Sequence, residues 1–189
     1  MENLEKAYFG SFVTIVTAIS STLDLQEVMR LLVKSLVEVV WLKGSAVRLL
    51  NPAKRTLDLL ASYGLSEHYI QKGTVDAGKS LKEAMEGKIV IVRNAQEDPR
   101  IQYHRQAAEE GIGSIVSIPL ILKGRIIGVL RLYTPKPKDF SKEEICFAKA
   151  VADIGAIAIE NARMYEAVMK EYESVIGDLH LLAKEEFLQ

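Results

Sequence analysis

Leu4, Tyr8, Phe12, Ile15 and Ile19 recur at helical spacing near the start of the chain. After the polar break Ser20-Ser21-Thr22 a second periodic run carries Val28, Leu32, Leu36 and Val39 on one face. The box Asp24-x-x-Glu27 suits the start of that second helix, because a side-chain oxygen there can accept from the free amides of the first turn. Gly44 is its expected end. The pattern then changes to strands, with residues 46–51 and 56–63 pairing around Asn51-Pro52-Ala53-Lys54. From 66 to 105 the pattern is broken. It holds short helical pieces at 67–71 and 81–86, an apolar strand at 89–92 and a polar loop at 94–100. Irregular stretches of this length usually carry function. A further short helix over 102–110 ends at Gly111 and feeds a hairpin.

That hairpin is GIGSIVSIPLILKGRIIGVLRLY, whose Lys123-Gly124 loop supplies the positive-φ glycine a tight primed turn needs. The expected register sets Leu122 against Arg125, Leu120 against Ile127 and Ile118 against Val129. Ile121 with Ile126 and Ile115 with Leu132 take the other face. Both faces are then apolar, and both must be covered. Pro119 cannot donate to a ladder, so it belongs at an edge or a bulge, opposite Gly128, where the backbone passes close to something else.

A final helix starts with Ser141 as N-cap and Glu144 three residues on, and nothing stops it before Gly177. Ala158, Ala162, Tyr165, Met169, Tyr172, Ile176, Leu179 and Ala183 follow alternating steps of four and three, a heptad seam. A helix from 141 to 187 would be roughly 70 Å long, further than one domain core can cover, so the seam calls for a partner helix and a parallel dimer.

At 189 residues the chain suits one domain with an extension. The expected division is an N-terminal helix over 1–22 contributing to a dimer bundle, a domain over 23–165 and a coiled-coil output segment over 166–189. Lys and Arg total 24 against 25 Asp and Glu, so no global field draws nucleic acid or anionic lipid. No apolar run reaches bilayer length and the N-terminus lacks a signal pattern, so a cytoplasmic protein is expected. The one cysteine, Cys146, leaves no intrachain disulfide and no cysteine-only metal site.

In order and spacing, SSTLDLQEVMRLLVKSL, the GKIVIVRNAQEDPR stretch at 87–100, the hairpin and AIENARMYE together resemble a GAF domain over most of the chain. The resemblance implies an α+β fold related to PAS domains, an antiparallel sheet of about six strands. It implies N- and C-terminal helices on one face and, on the other, a small-molecule pocket with short helices over 66–112. It also implies dimerisation through the terminal helices and output along the last one, to a fused or separate kinase, cyclase or transcription domain. Cyclic-nucleotide-binding members carry Asn-Lys after the last strand, where this chain has Thr134-Pro135. Bilin-binding members use a cysteine in the short helix before the hairpin, and residues 102–110 have none. A methionine-sulfoxide reductase on this fold needs cysteines beyond Cys146. The cofactor is therefore unknown and no metal is expected.

The candidate ligand-binding residues are Tyr63, Tyr69, Tyr103, His104, Ser117 and Arg131, polar or amphipathic groups on segments expected to line the free face of the sheet. GTVDAGKS at 73–80 matches the string of a phosphate-binding P-loop and makes Gly78, Lys79 and Ser80 candidate anion binders. That motif needs a buried strand before it in a parallel βαβ unit, and HYIQK at 68–72 is short and polar. Asp98-Pro99-Arg100 reads as a turn. Three functions stay open: a non-catalytic ligand-binding sensor dimer, a nucleotide-binding enzyme using Gly78, Lys79 and Ser80, and a ligand-free dimerisation scaffold.

Overall fold

A computed structural model describes residues 2–22, 24–78 and 81–186, with side chains for those between 5 and 177. Helix α1, Glu2–Ser21, and helix α2, Leu25–Val40, precede the sheet. Asp24 caps α2 as its sequence position implies, accepting from the amides of Gln26 and Glu27 at 2.9 and 3.1 Å. Gly44 does not end that helix. Trp41 does, in the left-handed region with φ 57°, its amide returning to the Val37 carbonyl. Gly44 instead opens β1, Gly44–Asn51, where a Cβ would lie 2.9 Å from the Tyr63 carbonyl and 2.8 Å from the Leu65 side chain.

The sheet is completed by β2 (Thr56–Tyr63), β3 (Val75–Asp76), β4 (Val90–Val92), β5 (Ile115–Leu122) and β6 (Arg125–Tyr133). Its order is β3-β2-β1-β6-β5-β4, and every pairing is antiparallel. Short helices α3 (Glu67–Ile70), α4 (Lys82–Met85) and α5 (His104–Glu109) interrupt it, and α6 runs from Lys142 to Glu186. The two-residue β3 had no signal in the pattern. A pair of residues is too short to show alternation.

The Lys123-Gly124 turn has φ 48° and 76°, the primed geometry that suits twisted strands. Beyond it the expected register is corrected. Ile121 pairs with Ile126, but a bulge then shifts the ladder, so Leu120 faces Gly128, Ile118 faces Leu130 and Ile115 faces Tyr133. Ile127 is the extra residue, and one extra residue moves every later β6 side chain to the opposite face. Pro119 therefore faces Val129, not Gly128. It lies past the end of β4, which pairs only with Ile115 to Ser117, so its missing N–H costs no ladder bond there.

The bulge decides what each face holds. Val47, Val116, Ile118, Leu120, Leu130 and Leu132 join the core made with α1, α2 and α6, where Met29, Leu32, Leu36, Val151 and Ile159 are buried. Tyr8 of α1 stacks on Phe147 of α6 at 4.7 Å. The other face carries Ala46, Ile115, Val129 and Tyr133 under Tyr69 of α3, Ala84 of α4 and Ala107 of α5. Alternation on that face also turns Arg48, Ser117 and Arg131 inward.

Helix α6 has the capping box expected of it: the Glu144 amide donates to Ser141 Oγ at 3.1 Å and Glu144 Oε2 accepts from the Ser141 amide at 2.9 Å. At 45 residues it spans roughly 70 Å. Ala158 and Ala162 of the seam are buried on the core, while Tyr165, Met169, Tyr172 and Ile176 are exposed. The Leu179 and Ala183 side chains lie outside the described residues.

Candidate functional site

Two short helices and the segment between them roof the second face of the sheet. Ser66 begins α3, accepting from the Tyr69 amide at 3.1 Å, and both its amide and its hydroxyl donate to the carboxylate of Glu110 at the end of α5. One Ser–Glu clasp thus ties the two helices together. Across the roof, Tyr103 Oη donates to the Thr74 carbonyl at 2.7 Å and Gln102 Nε2 to the same oxygen at 3.2 Å, while Gln102 Oε1 accepts from the Asp76 amide. Gly73 lets this happen. Its φ is 127°, and a Cβ there would stand 2.7 Å from Tyr103 Oη.

Beneath the roof are three cationic side chains. Arg131 of β6 and Arg48 of β1 are each 5% exposed and are diagonal neighbours, since Arg131 faces Ala46 and Arg48 faces Val129. Arg48 Nη1 donates to the Leu57 carbonyl at 3.1 Å. The Arg131 guanidinium makes no hydrogen bond to a described residue; its Cζ lies 5.5 Å from the centre of the Tyr133 ring. The Nε of both arginines is buried without a partner among the described residues. Lys72 Nζ donates to the Tyr69 carbonyl at 2.8 Å and sits 3.5 Å above the Tyr69 ring centre. A small enclosed cavity of about 10 Å³ lies among Arg131, Lys72, Tyr69, Gln102 and Tyr103.

No carboxylate among the described residues pairs with either arginine within 4 Å. The acidic groups that act on this cluster are engaged elsewhere. Asp58, which acts on Arg48, accepts from Asn51 and Thr56, and Glu110, which acts on Lys72, holds Ser66 and lies 3.5 Å from Lys43. The consequence is visible in the titrating groups. Burial, reinforced by Arg131, pushes Arg48 below its ordinary value. Burial with Arg48 and Arg131 alongside lowers Lys72 to about 7, Glu110 opposing weakly. Burial also pushes the Tyr69 phenol up.

The Lys72 shift has a signed consequence. Its folded value lies below the 10.5 of an exposed lysine. Between the two values the unfolded chain binds a proton that the native chain does not, so stability rises with pH from about 7 toward 10, and the penalty is fully present below 7. Lys72→Met is expected to flatten that rise, which urea melts at about pH 6 and about pH 9 read directly. An unchanged slope in the variant would show that Lys72 does not carry it.

Of the residues singled out from sequence, Tyr69, Tyr103 and Arg131 line the cavity, and Ser117 stands directly opposite Arg131 on β5. Tyr63 does not join them: it is exposed at the far end of β2. His104 Nε2 lies 2.7 Å from the Asp98 carbonyl and serves the Asp98–Arg100 turn, where Asp98 holds the Arg100 amide and guanidinium. Arg48 and Lys72 were missed. Arg48 interrupts the apolar run AVRLL with a charge in step with Ala46 and Leu50, a signal that a buried face carries something polar.

Gly78 lies elsewhere, in an open groove of about 660 Å³ between the β1–β2 turn, α4 and the β5–β6 turn, and its amide donates to Asp76 Oδ1 at 2.7 Å. Lys79 and Ser80 lie outside the described residues. The string contains β3, an antiparallel edge strand, where a P-loop would follow the parallel strand of a βαβ unit. Cys146 is exposed on α6, beside Tyr8 and Phe12 on the helical side of the sheet. Among the described residues no cluster of His, Cys, Asp or Glu could hold a metal, and no helix is long and apolar enough to cross a membrane.

A family model for the GAF domain matches residues 22–160. The chain is 24% identical over 181 residues to the formate hydrogenlyase transcriptional activator of Salmonella typhimurium, covering 92% of this chain and 26% of the activator. It is 30% identical over 166 residues to the methyl sulfide methyltransferase-associated sensor of Methanosarcina acetivorans, covering 82% of this chain and 16% of the sensor. It therefore spans about a quarter or less of these relatives. Among solved structures, the GAF domain of a phosphoenolpyruvate-protein phosphotransferase from Coxiella burnetii superposes with TM-score 0.76 at 20% identity, over 86% of this chain and 98% of that one. An enzyme shares the fold as well. The free methionine-R-sulfoxide reductase of Neisseria meningitidis, solved with its substrate, gives TM-score 0.71 at 19% identity over 85% and 93% of the two chains.

Proposed function

The chain belongs to the GAF domain family, and from that premise we propose that it is a non-catalytic sensory or regulatory module that binds a small ligand under the α3–α5 roof and dimerises through α1 and α6. The observation that carries this reading is the placement of a roofed polar chamber on one face of the sheet and, on the other, of a helix that outruns the core. Ligand contacts to Arg131 and Arg48 would bear on β6 and β1, whose opposite face packs on α2 and α6. A two-state shift of the paired α6 helices then carries the signal to an output segment, fused or separate, of kinase, cyclase or transcription type. The relatives, a transcriptional activator and a sensor, support that role and extend well beyond the matched region.

An uncovered apolar stripe supports the dimer. Met164, Tyr165, Val168, Met169, Tyr172 and Ile176 are all exposed on α6 past the core. Light scattering on a sizing column at high micromolar concentration is expected to give a dimer, and a clean monomer removes this part of the proposal. The small size of the closed chamber favours a second reading, a ligand-free scaffold whose pocket is filled by its own side chains. A thermal-shift screen of metabolites separates the two, since the scaffold responds to none.

A further inference from the structure

We propose that the chamber recognises a small oxyanion, the carboxylate or phosphate of a metabolite, gripped by Arg131 and Arg48 from the sheet and by Lys72 from the roof. This names the ligand class for the pocket proposed above and rests on that reading. Arg131 and Lys72 line the cavity and Arg48 stands diagonal to Arg131 on the next strand, close enough that both arginines bear on Lys72, a concentration of positive charge that a neutral ligand would not need. Isolated buried charge is costly unless an opposite charge or a full set of acceptors meets it. Here Arg131 has no acceptor among the described residues, both arginines keep a buried Nε unpartnered, and the two guanidiniums repel each other. A guanidinium fork is matched to the paired oxygens of a carboxylate or phosphate, and an anion between the two would satisfy the Nε groups while cancelling the repulsion.

The surroundings fit the same class. Tyr69 and Tyr103 supply flat walls, and Ser117 pairs with Arg131 on the neighbouring strand. The cavity of about 10 Å³ holds about one water in this closed form. A ligand therefore enters as the roof lifts, and the bond from Tyr103 to the Thr74 carbonyl is the contact that must yield. Binding should strengthen as pH falls through 7, because Lys72 then carries its charge.

The test is thermal shift and calorimetric titration of the whole chain with acetate, oxalate and inorganic phosphate, each against sodium chloride at matched ionic strength. The carboxylate and phosphate arms distinguish the two sources of the anion. At least one probe is expected to raise the melting temperature saturably. Arg131→Met should abolish that response while melting no lower than the parent without ligand, because it removes an uncompensated buried charge. Lys72→Met, at a partly buried position on the roof, should weaken binding at least about tenfold and carries the test if Arg131→Met does not fold. No response to any probe beyond the chloride control overturns the inference, as does a response that persists in Arg131→Met or is undiminished in Lys72→Met. A neutral molecule retained in native mass spectrometry would also overturn it and leave the sensor reading standing. A chain that retains no molecule and answers neither the probes nor a metabolite screen would remove both.

Discussion

Gly128→Ala is expected to destabilise the domain by about 3 kcal/mol or more, although it adds a single methyl group. Gly128 sits at the bulge of β6, between Leu49 on β1 and Leu120 on β5. A Cβ there would lie 2.3 Å from the Arg48 carbonyl oxygen, 3.2 Å from Leu49 Cα and 3.2 Å from Leu120 Cδ1. The leucine tip can turn aside. The backbone of β1 can move only by breaking the ladder that positions Arg48 and Arg131. The variant should therefore lose stability and, in the same step, any ligand response that depends on those two arginines. Urea denaturation measures the first effect. A loss below about 1 kcal/mol would mean that the sheet relaxes around the added carbon.

Replacing Met169 and Tyr172 together by Glu is expected to weaken dimerisation at least a hundredfold, or about 3 kcal/mol, with the melting temperature of the domain nearly unchanged. Both residues lie on the stretch of α6 that continues the seam begun by Ala158 and Ala162. Tyr172 is 61% exposed and Met169 37%, so neither contributes much to the core of its own chain. In a parallel pair of helices each would face its counterpart, and the substitutions would place carboxylates against carboxylates in a desolvated seam. Concentration-dependent light scattering reads the dissociation constant. A double variant that stays dimeric would place the interface elsewhere, on the exposed Phe9, Val13 and Val16 of α1.

The sequence made the scaffold legible because its long elements carry strong periodic signals. The N-cap at Asp24, the capping box at Ser141, the Lys123-Gly124 turn and the long helical run of α6 each have one local physical solution, and the structure adopts it. What was not legible depends on long-range geometry. The bulge that inserts Ile127 leaves no mark in the local pattern, yet it reverses the facing of Val129 and Leu130 and so decides that Arg131 points into the chamber. Trp41, against its own preference, closes α2 in the left-handed region because the chain must turn at once into β1. The site was half visible for the same reason. Tyr69, Tyr103 and Arg131 converge, while Tyr63 and His104 were chosen for their type and nearby segment, which do not fix direction. Arg48 could have been found by asking why a charge sits inside AVRLL, whereas Lys72 is drawn to the chamber by the fold of a four-residue helix.

The most direct test of the sensor account is native mass spectrometry of the protein as purified, with a denatured control. The account predicts a dimer that carries a reproducible small-molecule mass, released on denaturation. A bare monomer would contradict it at both points, leaving the roofed chamber without an occupant and the apolar stripe of α6 without a partner.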